Sequence, residues 1–312
     1  MKNPEILLRT KQTLTNIPGL RKVTWRYALI VAGVNLVVLL ADIIVTYLSG
    51  FFSGLSGIGI RSALGTISSM VLLISAFLLP FLSFGHMNAA LRSARGFEPT
   101  NNDLLHGFRR FGPLLRLTLL RFCIYMLIIP AAVNIGTIFY FMIPGSADTL
   151  TSLQNFAVDP NAMTDPVLAM TLLKAVWPMY LLIFGLMFAL MLPVSYRLRL
   201  ADWAILDGEN KAFRAMLYSN RSMRRNCWQL FRLDLWQWEF YLLTAIASVI
   251  SLGDQLLGLT SPWAYWLVTL LSIGLQLLIN AVFLSRVNTA YATFYLYKFH
   301  TEPVPQPPVQ QF

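Results

Sequence analysis

Six stretches of about 20 residues run nearly without charge, long enough to cross a hydrocarbon core as helices: 27–47, 66–85, 122–143, 175–194, 240–259 and 263–285. Asp42 interrupts the first and Asp254 the fifth, and the other four hold no charged side chain. Lipid offers nothing to backbone N–H and C=O groups, so such stretches must close their own hydrogen bonds as helices. None shows the alternation of a barrel strand. The pattern predicts an all-α fold: a polytopic membrane protein built as a six-transmembrane-helix bundle with cytoplasmic amphipathic helices. One integral membrane domain covers 1–300, and a Pro-rich cytoplasmic tail covers 301–312.

Between the spans the period stays helical but the polarity changes. Over 212–231 the apolar residues Phe213, Met216, Leu217, Met223, Cys227, Leu230 and Phe231 recur at three or four, with Lys211, Arg214, Arg221 and Arg225 facing elsewhere. Asp207 and Asn210 precede this helix as candidate caps. A basic amphipathic helix of this kind suits either the headgroup layer of an anionic leaflet or the underside of the bundle. The segments 88–120 and 198–236 share an outline: a short polar helix to a glycine (Gly96, Gly208), a basic helix, then an apolar entry around an arginine (Leu114 to Leu117, Leu230 to Leu233). That outline predicts a duplicated helical hairpin. The long outer loop 144–171 holds Asp, Asn, Thr and Pro and has the composition of a disordered connection.

Composition agrees with the pattern. Of 312 residues 56% are hydrophobic and 12% charged, too apolar for a soluble domain, in which roughly 25% are charged. The net charge of +10 is not spread evenly. Of 24 Lys and Arg, 22 fall in the N-terminal segment, the connections after spans two and four, and the C-terminal end, leaving only Arg61 and Lys174 on the other side. By the positive-inside rule both termini are cytoplasmic. The N-terminal segment 1–26 carries six basic residues and no small-residue cleavage pattern, so it does not read as a signal peptide. Tryptophans should mark the interfaces: Trp25, Trp203, Trp228, Trp236 and Trp238 inside, Trp177, Trp263 and Trp266 outside. The basic residues are juxtamembrane and no nucleic-acid motif accompanies them, so nucleic acid is not an expected partner.

Chemistry is sparse. Cys123 and Cys227 would face a reducing compartment as free thiols. His86, His106 and His300 have no second ligand at helical spacing, so no metal site is expected. Gly54-Leu55-Ser56-Gly57 matches the GxSG of rhomboid-type proteases, but Ser56 falls in an outer loop with no histidine nearby to take its proton. Asp42 lies within a span, where carboxylates are costly and usually paired. Arg61 or Lys174 could reach it from the outer side, giving an intramembrane ion pair, with a proton or cation path as the lesser alternative. Asn134, Gln276 and Asn280 are candidates for interhelical hydrogen bonds. Arg232, Asp234 and Glu239, near the start of span five, could pair with one another or with the adjacent basic loop.

The string RLRLADWAILDGENKAFRAMLYSNRSMRRNCWQLFRLDLWQWEF at 197–240 resembles the signature region of a bacterial integral membrane family, domain of unknown function 975. The residues that carry the likeness are Asp207, Asn220-Arg221-Ser222-Met223, Asn226, Trp228, Phe231, Leu233, Asp234, Leu235 and Trp238, with GFRRFGPLLRL at 107–117 and Leu7 to Lys11 upstream. Asn220 departs from the serine usual there. The resemblance implies a bacterial inner-membrane location and brings no enzymatic residue with it. With no catalytic, cofactor or metal set visible, the sequence reads as a non-enzymatic membrane protein that organises lipids or a partner protein at the cytoplasmic face. The alternative is a transporter or exporter subunit. Anionic membrane lipids are the expected partners, held by Arg214, Arg221, Arg224 and Arg225, and a membrane protein partner or a second copy is also compatible.

Overall fold

The computed structural model describes residues 3–51, 58–143, 166–251 and 262–299. Every element in them is a helix: α1 (Asn3–Asn16), α2 (Gly19–Phe51), α3 (Ile58–Ala94), α4 (Asn101–Leu104), α5 (His106–Arg109), α6 (Phe111–Phe141), α7 (Pro166–Leu198), α8 (Ala201–Leu206), α9 (Ala212–Met223), α10 (Cys227–Leu235), α11 (Trp238–Ser251) and α12 (Pro262–Phe299). Five of these, α2, α3, α6, α7 and α12, are long and apolar enough to cross a membrane. α11 has 14 residues, about 21 Å at 1.5 Å per residue, short of the roughly 30 Å hydrocarbon core. The rest of the span expected at 240–259 lies outside the described residues, as do Gly54 to Gly57, most of the loop 144–171, and the tail 301–312.

The long helices form two unequal groups. α2, α3 and α12 pack on one another with α11 against α12, while α6 and α7 pack as a separate pair. The pair is joined to the rest mainly through α5, α8, α9 and α10. Pro80, Pro130, Pro178 and Pro193 all sit inside long helices. Asn134 turns back to donate to the Pro130 carbonyl at 2.8 Å, so it serves its own helix rather than a neighbour.

The main core lies where the short helices meet the ends of the long ones. It joins Ile6 of α1, Leu91 of α3, Leu114 and Leu117 of α6, Trp203 and Ile205 of α8, Met216 and Met223 of α9, Leu230 and Leu233 of α10, and Tyr291 to Leu296 of α12. Within the most apolar window of each membrane-length helix, only 6% to 22% of residues are buried. Trp203, expected at an interface, is 2% exposed and belongs to this core. Trp266 is also buried, stacked against Tyr47 at 6.0 Å, whereas the other six tryptophans are exposed.

The two glycines singled out by sequence end their helices in the same way. Gly96 has φ 90° and Gly208 φ 124°, the two positive φ values among the described residues. In each turn the glycine N–H donates three residues back, to Ser93 or Ile205, and the next N–H donates five back, to Arg92 or Ala204. This is the Schellman termination, in which a left-handed residue lets the last carbonyls find donors. Downstream, the Leu-Leu-Arg-Leu of α6 and the Leu-Phe-Arg-Leu of α10 each bury their outer leucines completely in the shared core. Gly85 and Gly107 serve a different end. A Cβ on Gly85 would collide with the Leu104 carbonyl and one on Gly107 with the Phe81 carbonyl, so both are needed for α4 and α5 to lie directly on α3.

Candidate functional site

The short helices are tied to the long ones by four aspartates, each taken by an arginine from another element. Asp103 of α4 accepts from Arg92 of α3 at 3.0 Å, and it closes its own helix start by accepting the Thr100 N–H at 2.6 Å. Asp202 of α8 accepts Arg121 of α6 at 2.8 Å, and the same guanidinium donates to the Leu198 carbonyl at 2.5 Å. Asp207 pairs with Arg95 and accepts the Tyr295 hydroxyl at 2.9 Å, so the residues preceding the two Schellman glycines are bonded to each other. Asp234 of α10 is 8% exposed and gathers Tyr196 at 2.5 Å, Tyr241 at 3.1 Å, the Tyr291 hydroxyl, and Arg199 at 3.5 Å. Arg199 also lies over the Tyr291 ring at 4.6 Å. This cluster fastens the end of α7 to α11 and α12.

A neutral cluster fastens α2, α3 and α12. The Thr24 hydroxyl gives its single proton to the Leu20 carbonyl at 2.8 Å, so at 2.9 Å it accepts from His86 Nε2. His86 Nδ1 then accepts from Asn288 Nδ2 at 2.8 Å. The fully buried His86 thus has both ring nitrogens engaged by the fold. His106 lies outside the long helices, and burial, then the charge of Arg110, lowers its pKa below the usual imidazole value, with Asp103 opposing. Cys123 and Cys227 are free thiols. Burial pushes the Cys227 thiol up, partly countered by Arg197. Among the described residues no group of His, Cys, Asp and Glu is arranged to hold a metal ion.

The helix expected over 212–231 is two helices broken at 224–226. The break is pinned where Lys298 of α12 donates to Asn226 Oδ1 at 2.8 Å. Neither expected cap serves α9: Lys211 is its N-cap, Asp207 is held by Arg95, and Asn210 accepts from Arg110. The apolar stripe also divides. Met216, Met223 and Leu230 enter the core, while Phe213 and Leu217 stay exposed beside the exposed Arg214, Arg221, Arg224 and Arg225. Arg214 stands 3.9 Å from Glu209. The other three have no ion-pair partner among the described residues. Arg232 stacks on Trp228 at 5.4 Å rather than pairing with Asp234. Glu239 is exposed.

Asp42 is half-buried on α2, and Lys174 is exposed on α7. No ion pair joins them, since α7 packs on α6 and α2 packs on α3 and α12. The Arg61 side chain lies outside what is described. The sequence does not single out Asp103, Asp202 or Asp207 as ion-pair partners, whereas for Asp234 it offers the adjacent basic connection, which holds Arg199. The available signal was an acidic residue inside an otherwise basic connection.

No family model matches this chain, and neither a curated protein nor a solved structure is significantly similar to it.

Proposed function

We propose that the protein is a non-catalytic membrane component that gathers anionic lipid around its layer of short helices. The supporting observation is the division among its arginines. Arg92, Arg95, Arg121 and Arg199 are bound to aspartates within the fold. Arg221, Arg224 and Arg225 are exposed, without an ion-pair partner among the described residues, and share their surface with exposed Phe213, Leu217 and Trp228. Cations beside exposed apolar and aromatic side chains suit a headgroup layer, each contributing roughly 1 kcal/mol near an anionic surface. On this reading the fifth span continues beyond α11 to make six, and the short helices and both termini face the cytoplasm of a bacterium. Membership of domain of unknown function 975 belongs to the same proposal and rests on the residues quoted for it.

The test is native mass spectrometry of the full-length protein in mild detergent, presented with equal amounts of phosphatidylglycerol and phosphatidylcholine. The wild type is expected to retain the anionic lipid preferentially, and a triple Arg221→Gln, Arg224→Gln, Arg225→Gln variant to lose that preference. Equal retention of both lipids by the wild type overturns the proposal. Impermeant labelling of a cysteine placed within 97–105 checks orientation, and labelling from outside intact cells would invert the topology.

A further inference from the structure

α8, α9 and the end of α12 enclose an open cleft of about 460 Å³, within the size range of small-molecule sites. Its aromatic wall is built from Tyr295 and Phe299, stacked with centroids 4.6 Å apart, and from Tyr218, whose ring lies 4.6 Å from Phe299. Aromatic faces attract an ammonium group through their quadrupole. Asp207 at the base is already occupied by Arg95 and Tyr295. Glu209 is not. One of its oxygens accepts the Lys211 N–H at 3.0 Å, while the other stands 3.9 Å from Arg214, too far for a hydrogen bond. Their side chains are 28% and 65% exposed, so this ion pair is open at the mouth of the cleft. At Gly208 a Cβ would meet nothing within 4 Å, which leaves the mouth unobstructed on that side.

We propose that this cleft binds a compact zwitterion, an ammonium joined by a short tether to a phosphate, with phosphoethanolamine as its simplest form. The ammonium lies against the aromatic wall and Glu209, and the phosphate reaches Arg214. The balance of charge selects for both groups together. A bare cation would face Arg214, a bare anion would face Glu209 and Asp207, and a zwitterion inserted into the open pair gives each charge a closer partner. The same chemistry arrives either as a free metabolite or as the headgroup of a lipid, for which the exposed Phe213 and Leu217 on α9 offer apolar surface beside the cleft. This inference is independent of the anionic-lipid reading, because it uses Glu209 and the aromatic wall and not Arg221, Arg224 or Arg225.

The experiment titrates the full-length protein in detergent with O-phosphoethanolamine by calorimetry, with ethanolamine and inorganic phosphate as separate probes. A parallel arm measures retention of phosphatidylethanolamine against phosphatidylcholine from nanodiscs. Saturable binding is expected in at least one arm, the soluble arm pointing to a free ligand and retention alone to a lipid headgroup. Glu209→Gln and Arg214→Gln are each expected to weaken it tenfold or more and Tyr218→Leu about threefold, with Lys174→Gln unchanged. All four positions are exposed or partly so, and the variants are expected to keep the wild-type melting temperature. Absence of binding in both arms, binding indifferent to Glu209→Gln, or ethanolamine binding as tightly as phosphoethanolamine would each overturn the proposal.

Discussion

The layer of short helices and the membrane-length helices solve opposite problems. The layer buries a continuous core from Ile6 to Leu296 and matches each of its buried aspartates with an arginine. The long helices leave most of their apolar windows unburied, and α6 and α7 stand as a pair apart from the rest. Lipid tails are as apolar as leucine, so nothing drives the long helices together within the bilayer beyond packing and occasional hydrogen bonds. The layer instead shares one buried core, and burial of apolar surface is a force that draws helices together. The helices are therefore joined most firmly where that core lies.

The glycines break this comparison most severely if it is wrong. Gly85→Ala and Gly107→Ala each drive a methyl into a backbone carbonyl within the layer and are expected to cost more than about 4 kcal/mol, the range of severe core defects. The variants should fail to accumulate as monodisperse protein in size-exclusion chromatography. Gly33→Ala, Gly185→Ala and Gly274→Ala on the long helices meet nothing within 4 Å and should purify like the wild type.

Asp234→Asn comes next. It leaves Arg199 without a counter-charge, and with one partner buried and the other partly exposed the expected loss is about 3 kcal/mol. Detergent thermal denaturation followed by light scattering reads it as a lower midpoint. A change as small as that of an exposed substitution would show that the tyrosines alone hold the end of α7.

A smaller effect separates the layer from the spans by pH. The pKa of His106 is lowered in the folded protein, so the unfolded chain binds the proton more readily. The stabilising contribution of the neutral ring is complete above the unfolded pKa and is lost as pH falls through the folded value. Acidification from pH 7.5 to 5 should lower the melting midpoint of the wild type more than that of His106→Gln. Equal slopes would remove His106 from the account. The smallest expected effect is Lys174→Gln on α7, within about 0.5 kcal/mol, as for other exposed positions. A larger loss would revive the pairing with Asp42 that the sequence suggested.

Much of the fold was legible because its signals are local. Of the six charge-free stretches of bilayer length, five correspond to the long helices, since backbone satisfaction in lipid leaves no other choice, and the described part of the fifth stretch is the shorter α11. Gly96 and Gly208 were legible as turns and proved to be matching Schellman terminations, because a left-handed residue is a property of one position. The stripe on 212–231 was only half legible. Helical period identifies one face but does not say whether Phe213 meets a core or a membrane, and here it is exposed while Met216 three residues on is fully packed.

The sequence by itself determined the all-helical class, the concentration of basic residues in alternate connections and the two helix ends at Gly96 and Gly208, because composition and backbone chemistry act within a few residues. Only the tertiary structure decided which arginines are bound within the fold and which stay exposed. An ion pair such as Arg121 with Asp202, or Arg199 with Asp234, spans 81 or 35 residues of chain. Such partners are chosen by which helix ends the shared core brings together. The open pair of Glu209 and Arg214 is likewise a matter of distance in space: a carboxylate and a guanidinium five residues apart in sequence that the start of α9 holds at 3.9 Å, close enough to attract and too far to close.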